Sequence, residues 1–519
     1  NCFIIFLKIT YPQEAGGIQT MIKKTVTIKN GLTVDDVVSV ARFGAKVRLS
    51  DSCMKRVADS RAFVEKIVAA KKPVYGINTG FGKFSDVAVS PEDTRTLQLN
   101  LIMSHACGVG DPMPEEVVRA LMLLRLNALS FGFSGAQPET LETLLGMINK
   151  NVIPYIPRKG SLGASGDLAP LSHMALSMVG MGHSYYKGKL MDGGEALKKA
   201  GIKPAVLSAK EGLALINGTQ AMNGYATLAL YDAKKLLHSA EMTLSLTMEA
   251  LTGIITAYDP RVHEIRRQKG QIETAENVRN ILTGSGNVTA QGQLRVQDAY
   301  TLRCAPQVHG ASRDTVGYVE KIVSNEINAV TDNPLLFPET NDAISGGNFH
   351  GQYLSMAMDI LAIAVSELAN ISERRTERMI NPQLSNGLAP FLVKNGGLNN
   401  GFMIPQYVAA ALVSENKVLA HPAVVDSITS SANQEDHVSM GMTAARKARE
   451  VVTNTQRVLG IELMTACQAI DIRECSDKLA PATRKLYDKV RENVPFVETD
   501  TYLKPLIDNC YDIIRNMEE

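Results

Sequence analysis

Apolar residues along this chain recur mostly at steps of three and four, the spacing that predicts helices with one buried face. Residues 114–129 open on Glu115 and Glu116 and have Gly132 just beyond their end, the polarity of a helix with acids at its N-terminus. Ser208-Ala209-Lys210-Glu211 reads as a capping box leading into a short helix over 212–216. Between Gln220 and Leu251, residues Leu228, Leu236, Leu237, Leu244, Met248 and Leu251 keep helical spacing over many turns. Two further long patterns, 352–378 and 438–467, contain no internal proline and predict a helical bundle. Helices of that length expose more face than one chain covers, which predicts an oligomer. Strict alternation occurs near the start, at residues 24–28, where Asn30-Gly31 follows and predicts a small opening hairpin. The expected fold class is mainly α, a long helical bundle with a small β-hairpin-containing N-terminal part.

No repeat, linker or low-complexity tract divides residues 21–519. The chain is read as an N-terminal part over 21–216 and a long-helix part over 217–519. Residues 1–20 carry a short apolar patch without the basic start or cleavage site of a signal peptide. They are expected to be a dispensable extension ahead of Met21. The 54 basic and 53 acidic residues leave no electrostatic footprint for nucleic acid or an anionic membrane. Apolar runs such as 3–7 and 408–413 are too short to span a bilayer. Seven cysteines, an odd number without a Cys-x-x-Cys pair, suit a reducing cytoplasm. These properties are expected of a soluble intracellular protein, with no nucleic acid or membrane as partner.

Glycine and proline gather in loops at 75–82, 156–170, 284–292, 345–351 and 382–401, and loops on a rigid helical frame are where chemistry is expected. In the second of them, Ala164-Ser165-Gly166 has an unusual capacity. In a tight turn the Gly166 nitrogen reaches the Ala164 carbonyl carbon. Loss of one water closes a five-membered ring, and loss of the Ser165 hydroxyl as a second leaves an exocyclic methylene. Glycine offers an unhindered nitrogen and a free backbone, alanine is small, and serine supplies the leaving oxygen. The tripeptide alone is common, and such a loop before a helix also serves as a cap or anion cradle. Residues 163–167 narrowly miss the Gly-x-Ser-x-Gly elbow of a serine hydrolase. That reading needs a strand just before the loop, and 152–157 is broken by prolines.

Other loops carry polar groups with two readings each. Tyr75 is a loop anchor or, with a lowered pKa, a base. His105, after Ser104, is a helix-end cap or a ligand group. Asn217-Gly218-Thr219 is a helix break and N-cap. Gln297, Tyr300 and Arg303 lie three apart, on one helical face that is either solvated or built for bidentate carboxylate capture by Arg303. Phe349 stands in a glycine-rich loop, and Glu435 precedes a helix beside Asp436 and His437. No His-Glu-x-x-His, cysteine-rich metal spacing or Gly-x-x-x-x-Gly-Lys-Ser/Thr loop is present, so no metal or nucleotide is expected.

Taken together, the stretches 75–82, 160–171, 211–220, 297–307, 331–351 and 431–440 resemble the aromatic amino acid ammonia-lyase family, over about residues 21–473. The resemblance implies an ammonia-lyase/fumarase-aspartase-like bundle, a homotetramer whose active sites are completed by neighbouring subunits. It implies a 4-methylidene-imidazol-5-one formed autocatalytically from Ala164, Ser165 and Gly166, with no diffusible cofactor. Tyr75 or Glu435 would be the base, Tyr300 would lie beside the prosthetic group, and Arg303 would hold the substrate carboxylate. Asn217 and Gln297 would assist, and Phe349 would shape the pocket. Relatives acting on tyrosine or phenylalanine commonly carry His-Leu or Phe-Leu where this chain has Ser104-His105. That pair fits an imidazole, so the expected reaction is elimination of ammonia from L-histidine to trans-urocanate. A tyrosine ammonia-lyase, a tyrosine 2,3-aminomutase and a non-catalytic helical scaffold are the alternatives.

Overall fold

The computed structural model describes residues 22–70, 74–80, 89–90 and 93–518. The expectation for residues 1–20 lies outside them. Helices dominate, and the helices Gln220–Ala250, Gly441–Ile472 and Gln352–Ile380 pack side by side as the spine. Their spacing of apolar residues explains this: Leu228, Leu244, Leu361, Leu368, Leu459 and Leu463 are all buried in one apolar cluster that runs from Val26 to Met517. A polar tie crosses the spine at one level. The Arg375 guanidinium donates to both oxygens of Glu462, at 2.5 and 2.8 Å, and Thr247 donates to the same carboxylate at 2.7 Å. Both charged side chains are fully buried. The Gln352–Ile380 helix is long and apolar enough to cross a membrane by length and composition. Here it is the core of a bundle, and its Arg375 is paired rather than facing lipid.

The opening strand exists, but the hairpin does not. Thr25–Ile28 buries Val26 and Ile28 and pairs in parallel with Lys46–Leu49. Between them lies the Val34–Ala41 helix, started by a capping box of Thr33 and Asp36. A capping box at that point sends the chain into a crossover instead of straight back. Gly31 serves close approach, not a hairpin turn: a Cβ there would lie 2.7 Å from the Asn328 amide oxygen, which accepts the Leu32 N–H. A two-residue hairpin does occur further along, joining His183–Tyr186 to Lys189–Asp192. Residues 152–157 hold one short strand on the edge of that small sheet, Val152–Pro154, and the first residue of another, Pro157–Lys159, which pairs antiparallel with Val109–Pro112. Among the described residues the strand that leads into the Ser165 loop belongs to an antiparallel pair and not to a parallel sheet, so the hydrolase geometry is missing.

The Ser208–Glu211 box is half formed. Glu211 accepts the Ser208 N–H at 2.8 Å, but the Ser208 hydroxyl accepts from Arg61. The Glu211–Ile216 helix instead starts after Lys210, which is left-handed and fully buried against Asp332 at 2.7 Å.

Candidate active site

Several helix N-termini converge on the turn at 160–168. The first-turn N–H of Met222 in the Gln220–Ala250 helix donates to Asp167 at 2.8 Å. Just ahead of the Gly441–Ile472 helix, the Ser439 hydroxyl donates to the Gly163 carbonyl at 2.9 Å, and the Met440 N–H to Leu162 at 3.1 Å. At the head of the Gln352–Ile380 helix, a Cβ on Gly351 would lie 2.5 Å from the Met222 sulfur and 2.9 Å from the Ser439 hydroxyl. Helix N-termini carry partial positive charge, so this junction favours a negatively charged group.

Within the turn, Gly163 and Gly166 are left-handed, at φ +70° and +73°. A Cβ on Gly166 would sit 2.2 Å from the Gly218 carbonyl oxygen, so only glycine fits. The Asp167 N–H donates to that carbonyl at 2.7 Å, and the Asn217 amide donates to the Ser165 carbonyl at 2.8 Å. The Asn217 amide oxygen is buried without a hydrogen-bond partner among the described residues. The Ser165 hydroxyl donates to Glu435 at 2.6 Å. Glu435 also accepts from the Ser430 hydroxyl at 3.1 Å. Ser431, Ala432 and Asn433, just before Glu435, are all left-handed. Such a run of non-glycine residues costs roughly 1 kcal/mol or more at each position, and strain of this kind gathers at functional sites.

A cavity of about 1460 Å³ opens over the turn. It brings together Tyr75, His105, Ala164, Ser165, Asn217, Phe349 and Glu435 of the predicted set. Gly166 lies behind them against Gly218. His105 ends the Thr94–His105 helix, and burial holds its imidazole below the ordinary value, against the opposing pull of the Leu101 carbonyl and, more weakly, of Glu435. Its Nδ1 lies 2.9 Å from the Ser104 hydroxyl, which itself donates to the Leu101 carbonyl. That leaves Nδ1 the donor and Nε2 the lone-pair side of the neutral ring. The Tyr75 loop is pinned by Gly76, where a Cβ would meet Leu213 and Pro334 at 2.9 Å. Residues 81 and 82 of that loop lie outside the described residues.

Gln297, Tyr300 and Arg303 do not line this cavity in a single chain, nor do they share a helical face. The helix there is only Tyr300–Arg303. Asp298, held by the Ile254 N–H at 2.6 Å and by Arg295, keeps the chain ahead of it extended. Tyr300 is 69 % exposed, and the Arg303 guanidinium stacks on its ring at 4.7 Å.

The structure adds residues that pattern reading left without a role. Asp167 is fully buried beneath the turn, and burial pushes its carboxyl up to about 6, against donors from Met222, Ser161 and Ala221 and the charge of Arg125. Gln434, Asn333 and His437 line the cavity. The only sequence signal for Asp167 was its place next to the tripeptide.

These features fit a chain built to cyclise: a glycine no other residue could replace, a serine hydroxyl held by a carboxylate, and a donor on the serine carbonyl. Against known proteins, the model for "aromatic amino acid lyase" matches residues 32–492. The chain belongs to the aromatic amino acid lyase family. Within that family, a histidine ammonia-lyase from Caldanaerobacter subterraneus subsp. tengcongensis is 59 % identical over 495 residues, covering 95 % of this chain and 97 % of the relative. The solved histidine ammonia-lyase of Trypanosoma cruzi superposes with a TM-score of 0.88 at 44 % identity, covering 95 % and 93 % of the two chains. The phenylalanine aminomutase of Pantoea agglomerans superposes with a TM-score of 0.92 at 36 % identity, covering 95 % and 99 %. The lyase-family bundle is therefore the architecture of this chain.

Proposed function

We propose that the chain is a histidine ammonia-lyase, a carbon–nitrogen lyase that converts L-histidine to trans-urocanate and ammonia. The observation that carries this reading is the single cavity that joins Ala164-Ser165 to Glu435, Tyr75 and the imidazole of His105. The 59 % identity to a protein of that name supports it. Ala164, Ser165 and Gly166 would form the methylidene-imidazolone, which supplies an electrophile for the substrate amine and turns it into a better leaving group. Glu435 and Tyr75 stand at the cavity wall as candidate bases for the β-proton, a role that typically contributes ~10²–10⁴-fold. The neutral His105 ring offers Nε2 as an acceptor for the N–H of a substrate imidazole, with Phe349 closing the apolar side. Asn217 carries an unsatisfied amide oxygen beside Ser165, suited to an ammonium donor.

Arg303 would hold the substrate carboxylate, Tyr300 would lie beside the prosthetic group, and Gln297 would assist, all from a neighbouring subunit. The exposure of Tyr300 and the absence of all three from the cavity of one chain support sharing within a homotetramer. The six described cysteines are free, which supports a reducing, cytoplasmic setting.

Offering histidine, tyrosine and phenylalanine together and identifying products tests the assignment. Urocanate as the main product is expected, and His105→Phe should shift preference toward phenylalanine, because the imidazole then loses its polar partner. Main turnover of tyrosine, or a β-amino acid product as from an aminomutase, sinks the reading.

A further inference from the structure

We propose that Arg125 is the positioning residue that holds the cyclising turn in its reactive shape, an inference that rests on the prosthetic-group reading above. Arg125 lies on the Glu115–Ser130 helix with its side chain fully buried. Among the described residues no carboxylate comes within ion-pair distance of it. Its guanidinium instead donates to three oxygens of one short stretch: the Ala214 carbonyl at 3.0 Å, the Asn217 carbonyl at 2.8 Å and the Gln220 side chain. Two of these belong to the C-terminal end of the Glu211–Ile216 helix, where unpaired carbonyls attract a cation. A buried cation without an ion-pair partner is costly, and desolvation holds this one down to about 10. Such a group is placed to organise what it touches.

What it touches is the support of the tripeptide. Gly218 is at φ +140°, and a Cβ there would lie 2.6 Å from the Arg125 nitrogen, so turn and guanidinium meet at glycine distance. Gly218 then presents its carbonyl to the Asp167 N–H and against Gly166, while Asn217 donates to the Ser165 carbonyl. Arg125 thus holds the backbone at Asn217 and Gly218, and that pair in turn holds the Ser165 carbonyl and the peptide between Gly166 and Asp167. Ring closure forms a bond from the Gly166 nitrogen to the Ala164 carbon. One water leaves with the Ala164 oxygen and the amide protons of Gly166 and Ser165. The second leaves with the Ser165 hydroxyl and its α-proton. No oxidant is needed, and displacement of the reacting atoms by about 1 Å is enough to slow such a step by about 10²-fold.

Arg125→Lys separates positioning from charge balance. Lysine keeps the charge but lacks the planar fork that spans three acceptors. Unsubstituted, Arg125→Lys and Ser165→Ala chains are made in a cell-free system, and the folded fraction is followed by intact mass over time. The expected result is a folded Arg125→Lys chain, melting within a few degrees of the unsubstituted one, that loses its two waters about tenfold more slowly or more. Loss of both waters at the unsubstituted rate overturns the proposal. An unsubstituted chain that keeps both waters overturns the prosthetic-group reading and this inference with it. Where Arg125→Lys does not fold, Gln220→Met removes one of the three acceptors and is read in the same way. Slowed dehydration of its folded fraction is expected, and an unchanged rate overturns the proposal.

Discussion

Replacing Asp167 by asparagine tests how the floor of the turn is charged. Asp167 has no exposed surface, and its two oxygens accept from the Met222 N–H at 2.8 Å and the Ser161 hydroxyl at 2.7 Å. Burial nevertheless wins, raising the carboxyl from the ordinary 3.8 to about 6. The folded chain therefore keeps this proton to a higher pH than the unfolded chain does. The stability tied to the group is greatest below the unfolded value, declines as pH rises through about 6, and is flat above it. At 1.36 kcal/mol per unit, the interval corresponds to about 3 kcal/mol. Asparagine carries no charge and lacks this dependence, although its amide facing Met222 or Ser161 adds a constant offset of about 1–3 kcal/mol. Urea denaturation in a Ser165→Ala background compares Asp167 with Asp167→Asn in a single covalent species. The stability of the asparagine chain relative to the aspartate chain should rise by about 2–3 kcal/mol between about pH 4 and pH 7.5. A difference that stays constant across that range refutes the reasoning.

Glu435→Gln keeps a side chain of the same size beside Ser165 but removes the carboxylate; kcat should fall by ~10²–10⁴-fold if Glu435 is the base. A smaller loss, with Tyr75→Phe the more damaging change, would move that role to Tyr75. Mixing Arg303→Met chains with Ser165→Ala chains, each inactive alone, should restore part of the activity once mixed oligomers form, since some sites then draw an intact Arg303 and an intact Ser165 from different subunits. Two chains that stay inactive through verified subunit exchange would contradict shared sites.

The long helices were legible because their apolar spacing continues for thirty or so residues, as in Gln220–Ala250 at 31. Short elements were less so. Asn30-Gly31 carries a hairpin signature, yet Gly31 is there for the amide of Asn328, nearly three hundred positions away, which no local pattern displays. Gln297, Tyr300 and Arg303 keep helical spacing, but Asp298 is tied to Ile254 and holds that segment out of the helix. The cyclisation proposed for Ala164-Ser165-Gly166 was suggested by residue types together with the family resemblance. Its supports were not: Arg125 sits in a mostly buried helix that carries a second buried arginine, Arg119, and Asp167 lies under a turn, and only three-dimensional contacts give either one a role. Ser430 and the left-handed run at 431–433 belong with these, since backbone strain at alanine and serine leaves no compositional mark.

The proposed chemistry turns on Ala164, Ser165 and Gly166 becoming one electrophilic ring. Its most direct test is the intact mass of the folded, active chain beside that of Ser165→Ala. The chain should be two waters lighter than its sequence and gain mass on borohydride reduction, while Ser165→Ala has its full mass and does not react. A folded and active chain at its full sequence mass, indifferent to borohydride, would contradict it.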